Sequence, residues 1–330
     1  MTIPSFKILK KNAAERVAAA EQSKNIVLIY TGTVTALALL VTVINYVLNL
    51  QIAQLGGLSN MGLRSVLSTV QSVLPVVQSL VIMALDLGYI AAMLRIARQQ
   101  YASPQTLKLG FDRFFVLLRY TLIQGIIYGL AALAAFWISM QIFLVTPLSN
   151  TMMSMLSEDM LDPNVLMGYL QDPVFSANIT TSMVPLLLIF SGVYLLLFLP
   201  ICYSMRMAKY VIIDKPGMGA MYALRESRKM MKGSCIRLFK LDVSLWWWYA
   251  ITLGSTVLCY GDALLPMAGI SLPFPETVSY FLFYGLFLAA QFATWFFLRN
   301  RVEVVYAQAY NALKPRETDT GVVLGNIFQM

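Results

Sequence analysis

The chain contains no histidine and three cysteines, and Lys, Arg, Asp and Glu together make up only 12% of its 330 residues. Lack of histidine removes the usual general base, the commonest zinc ligand and the side chain that titrates near neutrality. Cys202, Cys235 and Cys259 lie far apart and follow no ligand spacing, so they read as small apolar fillers. No metal site and no cofactor is expected. A soluble domain carries about a quarter charged residues. With 58% of the residues hydrophobic instead, the shortage of charge calls for an apolar solvent. The formal net charge of +8 does not point to nucleic acid, because the bases sit at the ends of apolar blocks and not along one soluble face.

Six apolar blocks meet the requirement of about twenty residues per crossing: Ile26 to Ile52, Val66 to Leu94, Phe114 to Thr146, Thr180 to Ser204, Leu241 to Leu265 and Val278 to Leu298. In hydrocarbon each backbone amide bonds within its own segment, so the blocks are helices and the fold class is an all-α membrane bundle. The first block is too long for a signal-peptide core and ends without a small-residue cleavage site, so it reads as a retained span. The organisation that follows is a basic cytoplasmic segment over 1–25, a six-span domain over 26–313 and a cytoplasmic tail over 314–330. Twenty-three of the twenty-four Lys and Arg residues fall on one side of the alternating spans. The positive-inside rule assigns that side, with both termini, to the cytoplasm of an inner cell membrane.

After span two the chain reads Leu94-Arg95-Ile96-Ala97-Arg98, and after span four Met205-Arg206-Met207-Ala208-Lys209. Each is followed by a proline break (Pro104, Pro216), a basic helical stretch and a new span. A parallel repeat of spans 2–3 and 4–5 is expected. At Ser227-Arg228-Lys229-Met230-Met231-Lys232-Gly233, continuing through Arg237-Leu238-Phe239-Lys240-Leu241-Asp242-Val243-Ser244, the chain resembles the bacterial family called domain of unknown function 975. That family in turn looks similar to the membrane domain of some glycerophosphodiester phosphodiesterases. The resemblance implies fold and location and carries no reaction. The chain departs from it in Trp246-Trp247-Trp248, where an aliphatic run is expected, and in a long outer loop from Ser149 to Asn178.

The stretch from Pro216 to Lys232 is expected as an amphipathic cytoplasmic loop helix. It sets Met218, Met221, Tyr222 and Met231 against Arg225, Arg228, Lys229 and Lys232. Two readings stand: apolar face down with bases on anionic headgroups, or docking of a soluble protein partner such as an ATPase subunit. Trp246, Trp247 and Trp248 are interface anchors for span five. Consecutive residues point around a helix and do not enclose one ligand.

Asp86 is the most informative residue. It lies nine residues inside Arg95, roughly 13 Å deep, and Arg119 lies roughly 9 Å deep in the next antiparallel span. A structural charge pair is one reading, and a proton or cation relay is the other. Lys240 and Asp242 at the start of span five, with Arg299, Arg301 and Glu303 at the end of span six, are expected as a cytoplasmic ion-pair cluster. An aspartyl dyad of Asp86 with Asp262 is disfavoured, since Asp262 lies near the opposite membrane face and a dyad needs carboxylates about 3 Å apart. Gly125 and Gly129, and Gly285, Ala289 and Ala293, form small-residue stripes suited to helix packing. Pro75, Pro185 and Pro200 interrupt spans two and four, where a kinked helix frees a carbonyl. Met152, Met153, Met155, Met160 and Met167 in the outer loop read as adaptable filler and not as a copper site.

Three functional readings follow. The first is a non-enzymatic transport component or scaffold of an envelope or export complex. The second is a secondary transporter using Asp86. The third, an enzyme on lipid-linked substrates, is handicapped by the missing histidines and any paired acidic or nucleophilic motif.

Overall fold

The computed structural model describes residues 4–55, 60–146, 173–267 and 273–314. The outer-loop methionines and the tail beyond Lys314 lie outside them. Among the described residues all regular structure is helical: α1 (Phe6–Ala19), α2 (Gln22–Gln54), α3 (Met61–Ala97), a 3₁₀ turn (Pro104–Lys108), α4 (Leu109–Asp112), α5 (Phe114–Leu144), α6 (Pro173–Met205), α7 (Ala208–Asp214), α8 (Ala220–Met231), α9 (Cys235–Ser244), α10 (Trp246–Cys259), α11 (Gly261–Met267), α12 (Glu276–Thr294), a π-helical turn (Trp295–Arg299) and α13 (Asn300–Leu313).

Five stretches are long and apolar enough to cross a bilayer: Gln22–Gln54, Met61–Ala97, Phe114–Leu144, Val184–Asp214 and Thr277–Leu313. The protein is therefore a multi-pass helical membrane protein. The block expected as span five, Leu241 to Leu265, is not one helix. The chain turns at Leu245 and again at Tyr260, leaving α10 with 14 residues, about 21 Å of rise against a core of about 30 Å. At the second turn Gly261 meets the Phe283 ring of α12 where a Cβ would stand. The prolines, by contrast, break nothing: α3 runs on through Pro75 and α6 through Pro185 and Pro200.

The chain divides into two compact units, Met1–Leu117 with Met207–Met330, and Leu118–Arg206. In the larger unit burial is concentrated at the charge-rich end. Residues of α3 are mostly exposed before Leu80, whereas nearly all from Ala84 to Ala97 are buried. The last expected span also continues past Leu298, and Val302, Val304, Val305, Ala307, Ala309 and Tyr310 of α13 are buried. Leu9 and Ala13 of α1, Tyr210 to Ile212 of α7 and Leu224 and Met231 of α8 complete this core. These helix ends thus meet in a conventional hydrophobic interior, where burying each large aliphatic side chain contributes about 1.5–3 kcal/mol.

The smaller unit is the α5–α6 hairpin. Tyr128 packs on Phe198 at 4.8 Å between ring centroids and Phe136 on Phe190 at 6.5 Å, an antiparallel register, with Tyr194 stacked between Phe190 and Phe198. Rings fill this seam, so Gly125 and Gly129 turn away from it and a Cβ on either would meet nothing within 4 Å. Gly285, Ala289 and Ala293 are likewise exposed on α12. The small-residue stripes suited to helix packing are thus exposed within their own units.

Two glycines are required by close approach. A Cβ on Gly88 would collide with the Leu107 carbonyl, and one on Gly110 with the Ala84 carbonyl. Together they let the 3₁₀ turn and α4 lie directly on α3. Backbone cannot yield as a side chain does, so Gly88→Ala or Gly110→Ala is expected to cost about 1–3 kcal/mol. Gly62→Ala, in open space, is the control, and thermal unfolding in detergent reads the difference. Equal midpoints for Gly110→Ala and Gly62→Ala would refute the packing argument.

Candidate functional site

Asp86 projects from the buried half of α3, and its carboxylate receives two cations from elsewhere in the chain. Lys209 Nζ of α7 donates to Oδ2 at 2.9 Å, and Arg299 Nη2 donates to Oδ1 at 2.5 Å. The Asp86 and Arg299 side chains are only 19% and 12% exposed. A carboxylate this far buried is costly unless paired, and pairing on both oxygens meets that condition.

Arg299 reaches Asp86 from the π-helical turn Trp295–Arg299. Such turns insert one residue into a helix and recur at functional sites. The guanidinium is enclosed by rings: Tyr30 of α2 at 4.7 Å, Tyr89 of α3 at 5.0 Å and Trp295 at 4.4 Å from its carbon to each centroid. Nη1 donates to the Tyr30 hydroxyl at 2.8 Å, and Tyr30 stacks on Tyr89 at 4.5 Å. A desolvated cation–π contact contributes about 2 kcal/mol. Glu303, one turn beyond Arg299, acts on both Lys209 and Arg299 electrostatically. The two acids and two bases sum to zero charge. The buried Tyr89 hydroxyl has no hydrogen-bond partner among the described residues.

A second acid, Asp214, stands at the end of α7. Arg98 grips it with both terminal nitrogens at 2.7 Å, Tyr310 donates to Oδ2 at 2.9 Å and Lys314 lies 3.2 Å away. Arg98 Nε also donates to Asn311 at 3.0 Å. The hydrogen bond to Asp214 holds the Arg98 guanidinium above its ordinary pKa. The third buried acid, Asp242 on α9, accepts from Tyr306 at 2.6 Å, and Tyr306 meets the Tyr249 hydroxyl at 3.0 Å.

The structure redistributes the expected groups. Asp86 binds Lys209 and Arg299 in place of Arg119, which belongs to the α5–α6 unit. The cluster expected among Lys240, Asp242, Arg299, Arg301 and Glu303 is not one cluster: Asp242 goes to a tyrosine, Arg299 to Asp86, and Lys240 and Arg301 are exposed. On α8 the bases Arg225, Arg228, Lys229 and Lys232 are exposed as expected, yet its apolar side is differently used. Ala223, Leu224 and Met231 are buried in the protein while Met218 and Met221 stand exposed. Trp246 is 67% exposed, and Trp247 and Trp248 are half-buried.

The residues missed by sequence are Lys209, Arg98, Asp214 and the tyrosines. Lys209 and Arg98 do carry a signal, since each is the last base of the repeated Arg-apolar-Ala-base motif, and each binds a buried acid. A small cavity of about 150 Å³ lies along α2 and α12, lined by Thr42, Asn45, Tyr46, Asn49 and Tyr280. A larger groove of about 650 Å³ runs past the end of α3, with carboxamides from Asn12, Gln22, Gln99 and Gln100. Among the described residues no group of three acids, cysteines or histidines is placed to hold a metal.

The bidentate Arg98 grip predicts that Arg98→Lys is not conservative. Lysine keeps the charge but offers no planar fork, so a loss of about 1–3 kcal/mol is expected in thermal unfolding. Arg301→Lys, on an exposed base, should change nothing measurable.

Residues 14–291 match the family described as a protein of unknown function, DUF975. No curated protein and no solved structure matches the chain. The implied kinship with the membrane domain of glycerophosphodiester phosphodiesterases gains no support from these matches. The family match spans most of the helical body, including the Asp86 and Lys209 positions and the α8–α10 segment, and this chain belongs to the DUF975 family.

Proposed function

We propose that the protein is a non-enzymatic component of the cytoplasmic membrane, serving as a scaffold or transport component for a larger envelope or export complex, with both termini in the cytoplasm; this takes α10 and α11 together (Trp246–Met267), about 33 Å of rise, as a sixth crossing made in two pieces. The observation that carries this reading is the lock at Asp86. A relay carboxylate must gain and lose a proton along a path, whereas this one holds two cations and sits beside an arginine boxed by three rings. Such an arrangement favours a fixed geometry. It ties α3, α7 and the π-helical turn together within a folded core, and a rigid platform of this kind is what a scaffold presents to partners. The charge count supports the orientation, because the base-bearing helices α1, α8 and α9 each bury residues in that core, with Lys10 bonded to the end of α9.

Two measurements test this. A cysteine introduced near Asp162 should react with an impermeant reagent in intact cells, and one near Lys229 should not; the reverse pattern refutes the orientation. For the lock, Asp86→Asn strands two cations and should cost about 3–5 kcal/mol in detergent. Asp86→Asn combined with Arg299→Leu should lose less than the sum of the two single changes, by about 1–3 kcal/mol. Unchanged stability of Asp86→Asn, together with loss of a proton-coupled solute uptake by the purified protein in liposomes, would replace the lock with the transporter reading.

A further inference from the structure

Helix α9 carries apolar side chains on two opposite faces. On the inner face Leu238 and Leu241, with Leu245 just beyond the helix, are fully buried. On the outer face Ile236, Phe239 and Val243 are 70%, 43% and 55% exposed. Steps of three and four residues place these three on one stripe, an arc of roughly 60° at 100° per residue. Lys240 and then Arg237 follow along one edge of that arc, and both are exposed.

The helix is firmly positioned. Lys10 Nζ of α1 donates to the Ser244 carbonyl at 2.6 Å, closing the α9 C-terminus, and Asp242 is held by Tyr306. One residue after α9 the chain enters α10. There Trp246, Tyr249, Leu253 and Val257 form a continuing outward stripe, 67%, 43%, 67% and 48% exposed. The outer face of α9 is therefore continuous with the exposed apolar stripe of α10, the first piece of the sixth crossing proposed above, at the level where an indole marks the headgroup boundary.

We propose that α9 is a lipid-binding helix lying in the cytoplasmic membrane surface. Ile236 and Val243 insert below the headgroups, and Arg237 and Lys240 take the phosphates of anionic phospholipid. Long basic side chains at the rim of an apolar stripe extend their stems over it and keep their charges at the surface. Lipid contact thus falls to α9. The apolar side of α8 is already used inside the protein. The proposal rests on the membrane placement argued above; failure of that placement appears separately, as reversed labelling near Asp162.

The test uses the full chain in bilayers of phosphatidylcholine with and without phosphatidylglycerol. With Cys202, Cys235 and Cys259 replaced by alanine, spin labels are placed through Ile236→Cys, Val243→Cys and, as a water-facing control, Lys229→Cys. Labels at 236 and 243 should be relaxed by oxygen dissolved in lipid and shielded from an aqueous nickel chelate, and the label at 229 should show the opposite. Nickel access at both 236 and 243 would overturn the proposal and give this face to water or to a protein partner. A second arm needs no cysteine background. Quenching of the native tryptophans by brominated phosphatidylglycerol is compared with quenching by brominated phosphatidylcholine, in the natural chain and in Arg237→Gln/Lys240→Gln. The preference for the anionic lipid should fall about fivefold per base removed, and an unchanged preference would remove phosphate recognition from the proposal.

Discussion

A carboxylate buried in a long apolar helix has to be compensated where it stands, and the larger unit is arranged around that requirement. Asp86 has two oxygens and receives one cation on each. Lys209 arrives from α7 and Arg299 from the far end of the chain, so one side chain fixes three segments remote in sequence. The π-helical turn then has a physical reason. It places Arg299 against Asp86 and keeps Trp295, four residues earlier, beneath the same guanidinium. Removing one charge from such an assembly exposes the others, which is why the burial of ion pairs is better evidence of specificity than of net stability.

The same logic recurs twice at this end of the molecule. Asp214 is gripped by Arg98 and Tyr310, and Asp242 by Tyr306. All three acids draw on the continuous helix formed by the π turn and α13: Arg299, Tyr306 and Tyr310 descend it at intervals of seven and four residues. That places them along one side of the helix. The segment that follows Leu298 is the post to which α3, α7 and α9 are each tied by an acid.

Fold class was legible because it rests on long-range composition: apolar blocks of sufficient length dictate helices wherever they occur. Where local detail decided, legibility failed. The block from Leu241 to Leu265 is apolar throughout, and hydropathy does not register turns at Leu245 and Tyr260. The need of Asp86 for a partner was readable from its place inside an apolar block. Choosing Arg119 over Lys209 and Arg299 failed because counting gives depth and says nothing of azimuth or of which helices are neighbours. The tyrosines were invisible for a related reason: Tyr30 and Tyr89 are ordinary in a membrane helix until an arginine is found between them.

The contrast between α8 and α9 shows what an amphipathic pattern does and does not fix. Both helices carry bases beside apolar residues, and periodicity alone gives either one an apolar side for lipid. In α8 that side is consumed by the core through Ala223, Leu224 and Met231. Its exposed bases are then left facing away from the protein with only Met218 and Met221 beside them. In α9 two apolar faces exist, and the core uses one. A helix with a single apolar face has to choose between protein and membrane, whereas a helix with two satisfies both at once. Position in the chain gives the second face its direction, since α9 ends one residue before α10, whose exposed apolar stripe opens with Trp246.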